Sequence, residues 1–508
     1  MPDPGHHDMV DPLVRGAACL SRKDANRGPT RGLRAPRSRR HHLAEPARDD
    51  RAAALRKQPT DLLGTPLVLG AAPDHRHLNA CHVRDSRAVS ERETHGGTLV
   101  VGGGFAGSYV ARCLGKRGAT IVSPENSMLF TPLLPEAASG TLEPRHVVVP
   151  LRVMCPHAEL VLGRATTIDF ERTSVRAETI AGLVDLHYRD LVVALGSISR
   201  ALPIPGLGDH ALGFKSLADA IHLRNHVLRR LEAAEAASTG AHRQSELTFV
   251  FVGAGYAGVE ALAELSDLVR DALRYYPALR QARQRWVLVD AAPKILPEIP
   301  TRLGDYAAEQ LTRRGVEIRV ETTLDSVEEH AAHLSNGERV PTHTVVWTAG
   351  VRANPMLAHL GLPLDERGRV KVDETLRVEG HEHVWALGDG ARVPNLATPG
   401  DFDPPTSQHA LRQARRLAKN IAGDRQPYRY RMLGQVATLG RYKGIADVLG
   451  LRLTGFLGWF VTRGYHLYQL PLLSRKLRVV ADWTTSLFFR RDIAELSMLG
   501  HPQRLGDG

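Results

Sequence analysis

Short apolar runs and helix-type runs alternate along most of this 508-residue chain. From Thr98 onward, apolar runs bounded by glycine or polar residues predict buried strands. Residues 159–178 alternate in polarity and predict a β-meander, while residues 216–236 repeat apolar positions at helical spacing behind a candidate N-cap, Ser216. The remaining strand-type runs lie at 98–101, 119–122, 190–197, 247–252, 285–290, 317–322, 343–350 and 383–391. This alternation predicts an α/β fold.

The first strand-type run enters a glycine-rich turn, "VVGGGFAG", which a helical pattern follows. Gly102 permits a tight turn, Gly104 lets the backbone approach a pyrophosphate, and Gly107 lets helix and strand pack closely. The helix N-terminus then faces the phosphates. The residues predicted to bind a dinucleotide here are Gly102, Gly103, Gly104, Phe105, Ala106 and Gly107. The ribose-binding acid expected about 20 residues later is Glu125, two places after the next strand ends at Ser123.

A second copy of the same unit, "VGAGYAGVE", carries Gly253, Gly255 and Gly258. Its following strand ends in Asp290, whose carboxylate would accept from both ribose hydroxyls and repel a 2′-phosphate, which favours NAD(H) over NADP(H). The alternative for Asp290 is a solvated acid at a strand end. Two supported copies in one chain predict two dinucleotides, most economically FAD and NAD(H).

A third candidate element is "VWALGDGA", a buried strand that ends at Asp389. Doubly wound sheets bind ligands at the carboxyl ends of their strands, so Asp389 would contact the ribityl or phosphate region of a flavin. The alternative is a plain Gly-Asp-Gly turn.

Charge is unevenly distributed along the chain, whose net charge is +11. Residues 424–508 contain 13 Lys or Arg and 6 Asp or Glu, and Leu449, Leu453, Phe456 and Phe460 fall there at helical spacing. Arg452 and Arg463 interrupt this run, and further on aromatic residues and leucines alternate with two basic clusters, Arg475, Lys476 and Arg478, then Arg490 and Arg491. Aromatic and leucine positions interleaved with basic clusters predict interfacial helices on an anionic membrane. The alternative is a core-packing or dimer-forming region. This interleaving disfavours nucleic-acid binding.

Residues 1–95 have 17 Lys or Arg against 12 Asp or Glu and one short apolar patch, which predicts disorder. A downstream translation start is the alternative explanation of this segment. The four cysteines are scattered, which disfavours a disulfide framework, a zinc site or a redox dithiol, and no metal-binding residue is predicted. No apolar run reaches 18 residues and no signal-peptide pattern opens the chain. A cytosolic or cytosol-facing protein is therefore expected.

From residue 98 to about residue 495 the chain resembles the type II NADH dehydrogenases, non-proton-pumping NADH:quinone oxidoreductases. The resemblance rests on both glycine turns and on "VWTAGVRANP", "VWALGDGA", "MLFTPLLPEAASGTLEPRHVVVPLR" and "PPTSQHALRQA", of which the last two are the more specific to quinone-reducing members. It implies two Rossmann-type domains, with the FAD domain split around the NAD domain, and a C-terminal membrane-associating helical region. One non-covalent FAD, NADH as substrate, a membrane quinone and a peripheral position on the cytoplasmic face of the cell membrane are also implied, and a homodimer is compatible with the family.

The same likeness implies roles for individual residues. Gly102, Gly104, Gly107 and Asp389 would hold FAD, and Gly253, Gly255, Gly258 and Asp290 would hold NADH. Glu260 matches a glutamate near the junction of flavin, nicotinamide and quinone, while Gln408 and Gln413 match glutamines at the quinone site. Ser407, Arg412 and Ser123 depart from the family pattern. The alternatives are an ordinary acid in a first helical turn for Glu260 and a polar helix-opening residue for Gln408.

These inferences divide the chain into five parts. The expected parts are a disordered Arg/His-rich segment (1–95), an FAD-binding domain in two stretches (96–240 and 351–423), an NADH-binding domain between them (241–350) and a membrane-associating region (424–508). The expected activity is electron transfer from NADH through FAD to a quinone, with Glu260 and Gln408 as catalytic candidates. The alternatives are a soluble NAD(P)H-dependent flavoprotein reductase of a small redox protein such as a ferredoxin, and a membrane-docked nucleotide-sensing or scaffold protein that retains bound FAD without catalysing a reaction.

Overall fold

The apolar runs of the sequence form the strands of two central sheets in the computed structural model, which describes residues 89–430, 432 and 434–496. The strands are β1 Ser90–Glu93, β2 Thr98–Val101, β3 Ala119–Ser123, β4 Ser127–Leu129, β5 Val148–Pro150, β6 Ala158–Asp169, β7 Ser174–Thr179, β8 Gly182–His187, β9 Asp190–Val193, β10 Ser197–Ser199, β11 Ala211–Gly213, β12 Thr248–Val252, β13 Arg285–Val289, β14 Val316–Arg319, β15 Leu324–Glu328, β16 Ala331–Leu334, β17 Arg339–Pro341, β18 Thr344–Trp347, β19 Val351–Ala353, β20 Val370–Lys371, β21 Val384–Ala386, β22 Ala391–Arg392, β23 Gly434–Thr438, β24 Gly444–Val448 and β25 Leu451–Thr454. The helices are α1 Phe105–Leu114, α2 Leu134–Ala138, α3 Leu151–Met154, α4 Leu207–His210, α5 Leu217–Ala236, α6 Gly240–Glu246, α7 Tyr256–Ala272, α8 Thr301–Arg313, α9 Ser407–Ile421, α10 Gly455–Gln469 and α11 Leu473–Phe488.

The first sheet has eight strands in the order β1-β8-β7-β6-β3-β2-β9-β21. Its parallel half runs from β6 through β3, β2 and β9 to β21, and β6, β7 and β8 form the predicted meander by antiparallel pairing. Strand β21 returns to this sheet only after the whole second sheet has been formed. The first sheet is therefore built from two stretches of chain, as the expected split domain requires.

The second sheet is fully parallel, in the order β11-β18-β12-β13-β14. Its inner strand β12 is buried along its whole length, as a strand covered by helices on both faces should be. Strand β11 belongs to this sheet, although residues 96–240 were expected to serve the FAD domain. The difference arises because β11 is only three residues long and too short to leave a pattern in the sequence.

Helix α5 begins where the sequence predicts. The Ser216 side chain accepts a hydrogen bond from the backbone N–H of Asp219, and the Asp219 carboxylate accepts from the backbone N–H of Ser216, which completes a capping box. The apolar face of α5 packs into the core of the second sheet through Leu223, Val227 and Leu231.

The predicted helical run from Leu449 to Phe460 is wrong in its first half. Leu449 has a φ of 54° in the turn between β24 and β25, and Leu453 lies in β25, so the helix begins only at Gly455. The hairpin is favoured because Gly450 follows Leu449 at the turn with a φ of 84°. From Gly455 the chain continues as the two helices α10 and α11, which are separated at Pro471.

The predicted disordered segment overlaps the described residues at its end. Ser90–Glu93 form β1, an exposed edge strand paired in parallel with β8, so the ordered sheet extends upstream of Thr98. Residues 1–88 lie outside the described residues. Among the described residues, no helix is both long and apolar enough to cross a membrane.

Candidate active site

The first glycine turn joins β2 to α1 and is shaped by the absence of side chains. Gly102 has a φ of 113°, and a Cβ at Gly102 would overlap the carbonyl oxygen of Ala194. A Cβ at Gly107 would overlap the carbonyl oxygen of Gly102, so the helix can approach the strand only with glycine there. A Cβ at Gly104, in contrast, would meet nothing within 4 Å. The turn is therefore tightly packed against the protein at Gly102 and Gly107, and there is free space beside Gly104.

The open side of this turn faces a cavity of about 770 Å³, which we call the first cavity. Of the residues predicted to bind FAD, it is lined by Gly102, Gly103, Gly104, Phe105, Ala106, Glu125 and Asp389. Gly107 lies behind the turn, where it permits close packing. Glu125 is exposed at the rim, and its backbone N–H donates to Ser123 Oγ over 3.3 Å.

Asp389 lies just after the carboxyl end of β21, where hydrogen bonds fix both its carboxylate and the backbone before it. Ser197 Oγ donates to Asp389 Oδ2 over 2.6 Å, and Lys215 Nζ donates to the same hydroxyl over 3.2 Å. The preceding Gly388 N–H donates to Gln413 Oε1 over 2.8 Å. A glycine turn that leaves open space, a helix N-terminus and a fixed carboxylate fit the pyrophosphate and the ribityl region of FAD.

The second glycine turn joins β12 to α7 and repeats the geometry of the first. Gly253 has a φ of 108°, a Cβ at Gly258 would overlap the carbonyl oxygen of Gly253, and a Cβ at Gly255 would meet nothing within 4 Å. Asp290 accepts hydrogen bonds from the backbone N–H groups of Ala254 and Ala292. Its carboxylate thus steadies this turn, and each oxygen retains a lone pair for a ribose hydroxyl.

A second cavity of about 490 Å³ adjoins the first. Both cavities are lined by Phe105, Thr131, Lys215, Pro405 and Ser407. The second cavity also takes Tyr256, Glu260 and Glu298 from the second glycine unit and its surroundings, Gln408 from α9, and Tyr465, His466 and Gln469 from α10. It therefore brings together Glu260 and Gln408, which lie far apart in the sequence.

Glu260 is buried at the wall of the second cavity, with 8% of its surface exposed. Burial raises its pKa to about 8, against the lowering effect of two hydrogen bonds from Thr438. Both bonds end on Oε1, from the backbone N–H over 2.8 Å and from the hydroxyl over 3.3 Å. The neutral carboxyl group is therefore expected to carry its proton on Oε2.

The two predicted quinone-site glutamines lie on different faces of α9. Gln408 lines the second cavity; its Nε2 donates to the carbonyl of Gly434 and its Oε1 accepts from Tyr430. Gln413 lines neither cavity and is 2% exposed. Five residues on a helix turn a side chain well away from its starting direction. The position of Gln413 does not support the predicted quinone contact, because its buried amide accepts from the Gly388 N–H and donates to Asp403.

Sequence reasoning missed several residues of the two cavities. Lys215 lines both, and His466 and Glu298 line the second. Burial lowers the pKa of His466 to about 4 and raises the pKa of Glu298. Each of these residues is a lone polar side chain in its own stretch of sequence, so only the fold reveals that they meet.

A row of acids follows one face of α7 away from the second cavity. Glu260, Glu264, Asp267 and Asp271 repeat at helical spacing, which places them on one side of the helix. Arg491 pairs with Glu264 over 2.7 Å and with Asp271 over 3.4 Å, and is itself buried. The expectation that Arg491 belongs to a basic surface cluster is therefore wrong, because this side chain is drawn inward by the acids of α7.

Arg463 likewise lies inside, although it was expected only to interrupt an interfacial helix. Its guanidinium pairs with buried Glu136 over 3.2 Å and stacks on the rings of Trp459 and Trp483. Burial raises the pKa of Glu136, while Arg463 opposes that rise. The C-terminal helices are thus tied to α2 by a buried ion pair.

Large apolar side chains are exposed along the C-terminal hairpin and helices. We call this set the C-terminal apolar surface: Leu449, Leu451, Phe456, Leu457, Phe460, Tyr468, Leu473, Leu477, Leu487, Phe488 and Phe489. Basic residues accompany it: Arg478 and Arg490 are exposed, and Arg475 and Lys476 are half-buried. Helix α10 contributes to both features, because Phe456 and Phe460 are exposed while Tyr465 and His466 line the second cavity.

Comparisons with known proteins show the family and the fold of this chain. A family model described as pyridine nucleotide-disulphide oxidoreductase matches residues 97–414. The chain is 30% identical over 393 residues to a probable NADH dehydrogenase of Dictyostelium discoideum, covering 75% of this chain and 86% of that protein. It is 28% identical over 415 residues to the type II NADH:quinone oxidoreductase Ndh of Mycobacterium tuberculosis, covering 77% and 88%. The structure of NDH2 from Plasmodium falciparum in complex with NADH superposes with a TM-score of 0.73 at 19% identity, covering 78% of this chain and 99% of that one, which shows the shared fold.

Proposed function

This chain belongs to the type II NADH dehydrogenases within the pyridine nucleotide-disulphide oxidoreductases, and we propose that its two adjoining cavities carry out the electron transfer of that family. The protein is an FAD-dependent oxidoreductase that transfers electrons from NADH to a quinone. The observation that carries the residue assignments is the shared wall of the cavities, formed by Phe105, Thr131, Lys215, Pro405 and Ser407.

FAD supplies a carrier that takes two electrons from NADH and releases them to the quinone. The chain's own part is to hold the reactants in position and to exclude water. The first glycine turn would hold the FAD pyrophosphate and Asp389 the ribityl or phosphate region, with Glu125 at the rim near the ribose. Gly253, Gly255, Gly258 and Asp290 would hold NADH. Helix α7, which follows the second glycine turn, contributes Tyr256 and Glu260 to the second cavity, so the nicotinamide and the quinone would both reach the flavin from that cavity.

Quinone reduction consumes protons as well as electrons, and Glu260 is placed to supply one. Its raised pKa keeps it mostly protonated at neutral pH. Thr438 occupies Oε1, so the transferable proton lies on Oε2. Gln408 borders the same cavity and offers an amide N–H to a quinone oxygen once it exchanges its bond to Gly434. We assign Glu260 a proton-donating role and Gln408 a quinone-orienting role.

The C-terminal apolar surface supports a peripheral position on an anionic membrane, at the cytoplasmic face of the cell membrane. Exposed aromatic and leucine side chains beside basic residues suit the interface between water and lipid. Because α10 borders both this surface and the second cavity, a lipid-dissolved quinone would reach the cavity alongside α10. A soluble reductase of a small redox protein has no use for such a surface. A homodimer and the absence of nucleic-acid binding remain predictions.

Steady-state oxidation of NADH with a series of quinones tests the quinone assignment. Replacing Gln408 with alanine should raise the KM for quinone about tenfold, which corresponds to one lost hydrogen bond, while leaving the reduction of the flavin by NADH unchanged. Gln426→Ala is the matched control, since Gln426 is exposed. An unchanged KM in Gln408→Ala, or an equal rise in both variants, would remove Gln408 from the quinone site.

A further inference from the structure

Three side chains with metal-binding chemistry meet on the NADH-binding side of the chain, outside both cavities. His242 and Glu246 lie one helical turn apart on α6, and His343 lies immediately before β18. His242 Nε2 is 3.2 Å from Glu246 Oε1, and His343 Nε2 is 3.5 Å from the same oxygen. The three facing atoms all lie within 4.8 Å of one another.

These separations match the edges of a coordination tetrahedron. Zinc binds imidazole nitrogen and carboxylate oxygen at about 2.0–2.2 Å, so two ligand atoms of a tetrahedral site lie about 3.3 Å apart. The two distances to Glu246 Oε1 are already of this size. The two imidazole nitrogens lie within 4.8 Å of each other, and the His242 side chain is 56% exposed, so its ring has room to turn towards His343.

In His343 and Glu246 the atoms that face away from this point are already bonded, which orients two of the three ligands. His343 Nδ1 is 3.1 Å from His330 Nδ1, and Arg230 donates to Glu246 Oε2 over 3.0 Å. Metal-binding histidines and carboxylates in proteins are held by such partners on their outer side. The arrangement leaves His343 Nε2 and Glu246 Oε1 directed at the common point.

Burial is graded across the cluster. The Glu246 side chain is 4% exposed, that of His343 is 15% exposed and that of His242 is 56% exposed. An ion at the common point would thus have two inner protein ligands, one outer ligand and an open fourth position for water. Two imidazoles and one carboxylate suit zinc and neighbouring divalent transition metals better than calcium or magnesium, which prefer oxygen alone.

We propose that His242, Glu246 and His343 form a binding site for a divalent transition metal, with zinc as the best-fitting ion. The site would join two neighbouring parallel strands at their beginnings, since Glu246 precedes β12 and His343 precedes β18. The second glycine turn lies at the other end of β12, about 15 Å away along five strand residues. The expected role is therefore to stabilise the second sheet rather than to take part in electron transfer.

Cobalt(II) is the probe for this site, because a tetrahedral cobalt site absorbs visible light whereas hydrated cobalt absorbs only weakly. The purified full chain, stripped of metal with a chelator, is titrated with cobalt and then with zinc. The expected result is one equivalent of intense cobalt absorption, displaced by zinc, and a higher melting temperature with zinc. The chain has 24 histidines, so the difference between variants, not total binding, is decisive.

His242→Gln and His343→Gln should each weaken cobalt binding at the intense site about 10- to 100-fold and abolish the rise in melting temperature with zinc. His222→Gln is the matched control, because His222 is an exposed histidine on α5 outside the ligand set. His242 is exposed, so its variant should fold even if His343→Gln does not. Cobalt absorption that is missing from the parent protein, or unchanged in His242→Gln, would overturn the proposal and leave an ion-pair cluster only.

Discussion

Replacing Glu260 with glutamine removes the ionisable group while keeping the shape of its protonated form. In the folded protein burial raises the pKa of Glu260 from its ordinary 4.5 to about 8. The folded state therefore holds a proton that the unfolded chain releases between these two pH values. Stability from this group is fully present below about pH 4.5 and is lost as the pH rises towards 8.

The size of the effect follows from the pKa difference. Each pKa unit corresponds to about 1.4 kcal/mol, so ionising Glu260 fully costs the folded protein about 5 kcal/mol relative to the unfolded chain. At pH 7 the cost to the folded protein is about 3 kcal/mol, because it accumulates only over the interval between the ordinary pKa and pH 7. Glu260→Gln should therefore match the parent near pH 4.5 and exceed its stability by about 3 kcal/mol near pH 7.

Urea denaturation at a series of pH values measures this difference directly, with Glu171→Gln as the control at an exposed position. Quinone turnover should change in the opposite direction to stability, so that Glu260→Gln is more stable but slower than the parent. The parent should lose quinone reduction above about pH 8 as Glu260 ionises, whereas Glu260→Gln should be slow at every pH. Equal pH dependence of stability in Glu260→Gln and the parent would refute the raised pKa, and undiminished quinone turnover in the variant would refute the proton-donating role.

Substitutions at Gly107, Arg491 and Phe460 test the first glycine turn, the buried ion pairs of α7 and the C-terminal apolar surface. Gly107→Ala should purify with at least about tenfold less flavin by absorbance, since its Cβ overlaps the turn, while Gly208→Ala, which meets no atom, should keep its flavin. Arg491→Met should lower the free energy of unfolding by about 3–5 kcal/mol, because the substitution leaves buried carboxylates unpaired. Arg490→Met, at an exposed position, should change the free energy of unfolding little. Equal losses in the two variants would contradict the buried pairing of Arg491. Phe460→Glu should weaken sedimentation with anionic vesicles by about tenfold or more, from lost apolar burial at the surface, and unaltered vesicle binding would show that another surface docks.

The glycine turns and the capped helix could be predicted from sequence because their physical causes are local. The steric need for Gly102 and Gly107 arises within one strand, turn and helix, and the structure repeats it at Gly253 and Gly258. The capping box of α5 is likewise complete within four residues, Ser216 to Asp219.

The C-terminal region shows why periodicity alone falls short. Apolar spacing from Leu449 is compatible with a helix, yet the Leu449–Gly450 turn folds the chain into a hairpin first. Arg463 and Arg491 resemble surface cations in sequence, and only the packing of α10 and the tail against Glu136 and Glu264 shows that they are buried.

The candidate site could be predicted in part for a related reason. Glu260 and Gln408 belong to recognisable motifs, and both line the second cavity. Lys215 has no motif of its own, and it meets Ser197 and the Asp389 turn only through long-range packing. Gln413 shares a motif with Gln408, but the turn of α9 directs it into the protein.

Sequential rapid mixing of the full-length, FAD-loaded protein shows whether electrons pass from NADH through the flavin to a quinone. NADH is added first under anaerobic conditions while flavin absorbance is followed, and a short-chain quinone is added next. Absorbance should fall on mixing with NADH and return on mixing with the quinone, with the return slowed in Glu260→Gln. Flavin that NADH does not bleach would contradict the enzyme assignment, and bleached flavin that no quinone restores would contradict electron transfer to a quinone.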